Sequence, residues 1–226
     1  MKRQFLQHFG VIAALLLGVL ASGCHDQLTN PEQIVGSGIL VLQPRSVAAF
    51  SGIQVKGIGK VVIKQDTVQS LRIEADDNIV DLVTTTVANG LLVVGLQPGS
   101  YSNVTINVYA SMKNIDRLES MGTAEFLTTG PIHTDAITCR ITGVGKITLA
   151  GTAGDQTIEV TGTGDVHNFD FVSTRCSALI SGVGTLEVHA TQQLDAVVSG
   201  AGSIVFAGNP PVVHQTVSGI GSIKPR

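Results

Sequence analysis

The chain has 226 residues and a formal net charge of −3, from 14 Lys and Arg against 17 Asp and Glu, with no Trp, 2 Tyr and 7 Phe. It contains no basic run, so nucleic-acid binding finds little support, and the scarcity of aromatic rings leaves little to stack on bases or sugars.

The first elements concern export. Lys2 and Arg3 form a short basic region, followed by a nearly unbroken apolar run from Val11 to Leu20. That run is too short to span a bilayer and has the shape of a signal-peptide core. It ends in Leu20-Ala21-Ser22-Gly23-Cys24, which resembles a bacterial lipoprotein lipobox. One departure is that Leu20 stands one place early and Ala21 occupies the preferred leucine position. The resemblance implies cleavage after Gly23 and several acyl chains on Cys24, an anchor far firmer than one chain provides. It therefore implies attachment to the cell envelope. His25, where an aspartate would retain enteric lipoproteins, points by analogy to the outer membrane. Removing residues 1–23 leaves 203 residues and a formal charge of −5, suited to one large β domain or two small ones. Residues 24–36 are mostly polar, contain Pro31 and read as a tether.

Residues 37–226 read as the folded domain. Its first part, 37–118, is irregular. Strands are expected near Ile39–Leu42, Ile53–Val55, Val61–Lys64, Leu71–Glu74, Leu91–Gly95 and Val104–Tyr109, with a helical turn within Asp77–Thr85 and a tight turn at Asn89-Gly90. From 119 to 226 the chain repeats. A Gly-x-Gly motif recurs with its first glycine at Gly143, Gly162, Gly182, Gly200 and Gly219, at spacings of 19, 20, 18 and 19 residues. A worn copy lies at Gly122 and an isolated one at Gly57. Counted from that glycine, position −2 holds Val55, Ile141, Val160, Ile180, Val198 and Val217. Position +4 holds Val61, Phe126, Ile147, Val166, Leu186, Ile204 and Ile223. This alternation has period two, so each unit is strand, glycine corner, strand.

Units of this length are expected to stack as coils of a right-handed parallel β-helix. The alternative is a β-sandwich of hairpins, which would favour Asn-Gly or Asp-Gly turns over Gly-x-Gly with apolar or Thr centres. The pairs Gly57/Gly59, Gly143/Gly145, Gly162/Gly164, Gly182/Gly184, Gly200/Gly202 and Gly219/Gly221 are assigned as structural corners. Glycine suits such corners by entering positive φ and by letting backbones approach closely.

The stretches "FSGIQVKGIGKVVIKQ" and "LRIEADDNIVDLVTTTVANGLLVV", followed by serial "SGVG" and "SGAG" units, resemble the putative auto-transporter adhesin, head GIN domain family (DUF2807-like). The similarity covers about Val41 to Lys224. Members usually write Gly-Ser-Gly, so the Val, Thr, Ala and Ile centres here depart mildly. The resemblance implies a right-handed β-helix like that of pectin lyases and a surface or periplasmic protein of Bacteroidetes type. It brings no catalytic residues and no cofactor.

The residues themselves leave three functional readings: an interaction protein, a glycan-degrading enzyme, and a structural envelope protein with no specific ligand. A Gly-x-Gly dinucleotide loop needs a βαβ unit and a third glycine, and no copy here opens a helix. A glycan-degrading enzyme, polysaccharide lyase or hydrolase, needs acids and bases converging from adjacent coils. The best column is +3, where Glu125, Lys146 and Asp165 follow one another, but this pattern reads as a solvated ion-pair ladder. Asp76, Asp77 and Asp81 cluster either to bind a cation weakly or, more simply, to cap a turn. His133, His167, His189 and His214 occupy four different columns, so no zinc site is assigned. Ser181 and Ser199 lie beside corners without His and Asp in register. Cys139 and Cys176 face inward two coils apart, about 9.6 Å by stacking. That exceeds the roughly 7 Å limit for a disulfide, so both are read as buried thiols. The reading is a non-catalytic adhesion or scaffold module without metal or cofactor. Its partners are the membrane, through Cys24, and a surface glycan or protein ligand, and it is compatible with a homo-oligomer.

Overall fold

The computed structural model describes residues 33–226. The signal segment, Cys24 and the tether as far as Glu32 lie outside the described residues. The irregular part contains β1 (Gln33–Val35), β2 (Leu40–Pro44), β3 (Gly52–Val55), β4 (Ile58–Gln65) and β5 (Ser70–Asp76). A single 3-10 turn at Val80–Leu82 follows, then β6 (Val83–Ala88), β7 (Leu91–Leu96), β8 (Ser100–Ser102) and β9 (Ile106–Met112). The repeats supply β10 (Arg117–Ser120), β11 (Thr123–Thr128), β12 (Ile132–Ile141), β13 (Val144–Thr148) and β14 (Gly151–Val160). They continue with β15 (Thr163–Ile180), β16 (Val183–Val198), β17 (Ala201–Ala207), β18 (Val212–Val217) and β19 (Ile220–Pro225). β15 and β16 each run through the second half of one coil into the first half of the next.

Successive repeats pair in parallel and in register. Gly145 lies beside Gly164, Gly164 beside Gly184, Gly184 beside Gly202 and Gly202 beside Gly221. The architecture is thus a parallel β-solenoid rather than a hairpin sandwich. The inward columns form one continuous core. Ile53, Leu118, Cys139, Ile158, Ala178 and Ala196 stack at position −4, while Val61, Phe126, Ile147, Val166, Leu186 and Ile204 stack at +4, all essentially without solvent contact. Cys139 lies beside Ile158, and Cys176 lies beside Gln156 and Leu194. Both cysteines are free and buried. Burial pushes each thiol up to about 12.

The N-terminal part differs from a simple continuation of the repeat. β3 pairs with β7 on one side and β10 on the other, and β4 likewise lies between β9 and β11. The coil made by residues 52–65 is therefore inserted between a coil from residues 91–112 and one from residues 117–128. Beyond that outer coil the pairing turns antiparallel. β5 joins β9, β2 joins β5, and β6 joins β7. These strands close that end of the core. The β6–β7 hairpin turns at Asn89-Gly90 with φ of 50° and 74°, the two left-handed residues a type I′ turn requires.

Candidate functional site

The corners are built from backbone. In each coil from Gly122 onward the residue before the first glycine and that glycine both donate to the −2 carbonyl of the preceding coil. For one corner these are Ser181 N to Val160 O at 2.9 Å and Gly182 N to Val160 O at 3.0 Å. The central residue then donates to the preceding first glycine, as Val183 N does to Gly162 O at 2.8 Å. A Cβ on Gly182 would sit 1.9 Å from Gly162 O, and one on Gly184 1.8 Å from Gly164 O. Close approach of stacked backbones is what demands glycine at Gly122, Gly143, Gly162, Gly182, Gly184, Gly200, Gly202, Gly219 and Gly221, whereas a Cβ on Gly57 or Gly59 would meet nothing closer than 3.6 Å. The other reason expected from sequence is corrected: the glycines at positive φ are Gly38, Gly90, Gly151 and Gly208, and none of these is a corner. The worn repeat carries Ala124 where the second glycine belongs, beside Gly59 and Gly145.

Because the corner backbone is saturated by its neighbours, the central side chains project outward. Ile58, Thr123, Val144, Thr163, Val183, Ala201 and Ile220 form a row, one per coil. The apolar members are open to solvent, at 45% for Ile58, 52% for Val144, 53% for Val183 and 83% for Ile220. Beside this row run the second glycines, and beyond them the +3 column. The two ridges enclose a shallow cleft of about 700 Å3, floored by Gly59, Ala124 and Gly145. Val104, Thr105 and Asn107 wall its N-terminal side.

Sequence reasoning missed that wall and the role of Asp76 in fixing it. Asp76 is fully buried, and its carboxylate accepts from Gly38 N and from Thr105 N, each at 2.7 Å. It thereby ties three separate stretches of chain together. Asp77 instead accepts from Ser37 Oγ at 2.6 Å and Asp81 from Gln43 Nε2 at 3.1 Å. The acidic cluster thus spends its three carboxylates on four different partners.

The +3 column keeps its register, Lys60–Glu125–Lys146–Asp165, but it is not the continuous ion-pair ladder expected. Lys60 Nζ lies 3.5 Å from Glu125, whereas Asp165 accepts from the Thr185 backbone N–H at 3.0 Å. Lys146 makes no ion pair among the described residues. The histidines remain dispersed. His167 meets Glu187 at 2.8 Å, His214 meets Asp195 at 2.6 Å, His133 meets Thr152 and His189 meets the Phe169 carbonyl. Among the described residues no three His, Cys, Asp or Glu converge as metal ligands. Ser199 Oγ bonds the Ile180 carbonyl at 3.4 Å, as a turn residue does. On the preceding strands of four successive coils lies a second polar network. Arg140 donates to Glu159 at 2.8 Å and lies 3.5 Å from the nearly buried Glu119, which also receives Gln54. The bond to Glu159 holds the Arg140 guanidinium above its usual range.

The profile of the putative auto-transporter adhesin, head GIN domain family matches residues 49–210. Among solved structures, a putative adhesin from Bacteroides fragilis NCTC 9343 superposes with a TM-score of 0.69 at 22% identity, covering 85% of this chain and 100% of its own. A putative adhesin from Parabacteroides distasonis ATCC 8503 gives 0.53 at 22% identity, covering 86% and 100%. A putative lipid binding protein from the same organism gives 0.54 at 20% identity, with the same coverage. At these identities the likeness is one of fold. No curated protein matches the chain.

Proposed function

Taking as premise that the chain belongs to the putative auto-transporter adhesin, head GIN domain family, we propose that it is a non-catalytic adhesion or scaffold module of the cell envelope, held there by a lipid on Cys24. The observation that carries this reading is the row from Ile58 to Ile220. It presents one outward side chain per coil, at a strand spacing of about 4.8 Å, on a backbone whose corners are hydrogen-bonded from coil to coil. Such a row offers many weak, equivalent contacts to an extended ligand, and multivalency converts weak contacts into firm attachment. The cleft beside it adds the charges of Lys60, Glu125, Lys146 and Asp165, of which Lys146 has no ion-pair partner among the described residues. A surface glycan or a matrix protein is the kind of ligand such a face accommodates.

The alternative enzyme would work through Glu125, Lys146 and Asp165. Two contacts weigh against it: Glu125 is engaged by Lys60, and Asp165 by a backbone amide. The column is also open to water, without the enclosure that sustains a perturbed base. The test is a glycan and matrix-protein binding screen run beside a polysaccharide depolymerisation assay. We expect ligand binding that Val144→Asp with Val183→Asp weakens at least about tenfold, a loss of roughly 1.4 kcal/mol. Lys146→Ala should remain folded, with no cleavage to lose. A cleaving activity abolished by Lys146→Ala in a cooperatively melting variant would replace this reading with the enzyme.

A further inference from the structure

The two ends of the solenoid are finished differently. At the N-terminal end antiparallel strands close the core. At the other end β18 pairs with β16 and β19 with β17, and among the described residues no strand follows either. Val213 lies beside the fully buried Leu194, and Val217 beside the fully buried Val198, yet they are 37% and 46% exposed. All six residues of β18 are exposed. In every earlier coil the −2 carbonyl receives an amide from the next coil, as Ile180 O does from Ser199 N at 2.8 Å. Val217 is the corresponding residue of this coil. Because alternate residues of a strand direct their backbone groups to opposite sides, Val213, Gln215 and Val217 turn theirs to the open edge.

Exposed edges are normally blunted by proline, charge or a cover. β19 carries Lys224 and Pro225. β18, Val-Val-His-Gln-Thr-Val, has neither proline nor lysine. Its inward residues read Val213, Gln215, Val217, the same in both directions about Gln215. We propose that β18 is a homodimer interface, pairing antiparallel with β18 of a second copy about a two-fold axis at Gln215. This register places Val213 opposite Val217 of the other copy and brings the two Gln215 amides together, each able to donate and accept. It also sets His214 against Thr216, so no like charges oppose each other. A register centred on His214 would press together two imidazoles that are each already held by Asp195 at 2.6 Å, and one centred on Thr216 would oppose Val217 and Gln215. An isologous contact of this kind closes at two copies. It joins two cores end to end and doubles the outward row.

The test is sedimentation of the purified full-length chain. Wild type is expected to be dimeric at about 100 μM. Gln215→Pro removes an amide that bonds nothing within the monomer, so it should yield a monomer whose melting temperature stays near that of wild type. Gln215→Cys should cross-link on mild oxidation beyond the wild-type background, because Cα atoms of a hydrogen-bonded antiparallel pair lie about 5.5 Å apart, within disulfide reach. A monomeric wild type, a dimer that survives Gln215→Pro, or a Gln215→Cys chain that does not cross-link above background would each overturn the proposal.

Discussion

Replacing Gly182 by alanine tests what the corners are for. The added Cβ would fall 1.9 Å from Gly162 O, against an ordinary contact of at least 3.4 Å, so the two coils must separate locally by 1.5 Å. Neither partner is a flexible side chain. The same movement stretches Val183 N–Gly162 O from 2.8 Å to beyond bonding distance and strains the two amides that share Val160 O. Three backbone bonds at about 1 kcal/mol each set a floor near 3 kcal/mol, and carbonyls left unsatisfied raise it to about 5 kcal/mol. Val183→Ser, one residue away, removes a side chain that is already 53% exposed and should cost no more than about 1 kcal/mol. At roughly 2–4 °C per kcal/mol for a chain of this size, thermal melting should drop by roughly 6–20 °C for Gly182→Ala and by at most about 4 °C for Val183→Ser. Calorimetry or circular dichroism on matched samples reads the difference. A Gly182→Ala protein that melts with wild type would refute the close-approach argument.

Cys24→Ser should move the protein from the membrane to the soluble fraction of a cell lysate, and unchanged fractionation would remove the anchor. Asp76→Asn keeps the shape of a fully buried side chain but weakens two charge-assisted bonds to backbone amides. It should cost about 2–3 kcal/mol and speed amide exchange at Gly38 and Thr105 first, as hydrogen-exchange mass spectrometry would show. Cys139 and Cys176 should resist a thiol reagent at pH 8 in the native protein and react when it is unfolded; rapid native labelling would contradict their burial. Their folded-state values are raised from 9.0 to about 12. The stability they contribute as neutral groups is therefore complete below pH 9 and lost as pH rises from there towards 12, so denaturant midpoints should fall across that window and fall less steeply in Cys139→Ala.

The coils from Gly122 onward were legible because position and environment repeat together. Val160, Ile180 and Val198 occupy one column in sequence and one column in space, and Asn89-Gly90 declared its hairpin through backbone preference alone. The place of residues 52–65 was not legible. Their pattern fits any coil, and period-two alternation says which face is buried but not which coil is the neighbour. The reason for the corner glycines was half legible: a count of glycines shows that Cβ is unwelcome without telling whether φ or a facing carbonyl excludes it. Asp76 stood out only as one of three clustered acids, and nothing in the cluster showed that it alone would be buried with Gly38 and Thr105 folded onto it. The wall of the cleft was hidden for the same reason, because Val104 and Thr105 meet the corner row only through the inserted coil.

That inserted coil gives the molecule a direction of growth. Residues 52–65 emerge early during synthesis but need residues 91–112 on one side and 117–128 on the other before either edge is satisfied. The first half of the chain is therefore an indivisible seed, completed only when some sixty further residues are available. Past Thr128 each added unit touches chiefly the one before it, and stability accrues coil by coil. Lineages can lengthen or shorten such a protein by whole units of its C-terminal half, whereas a deletion anywhere between β3 and β11 removes the template on which every later unit is laid.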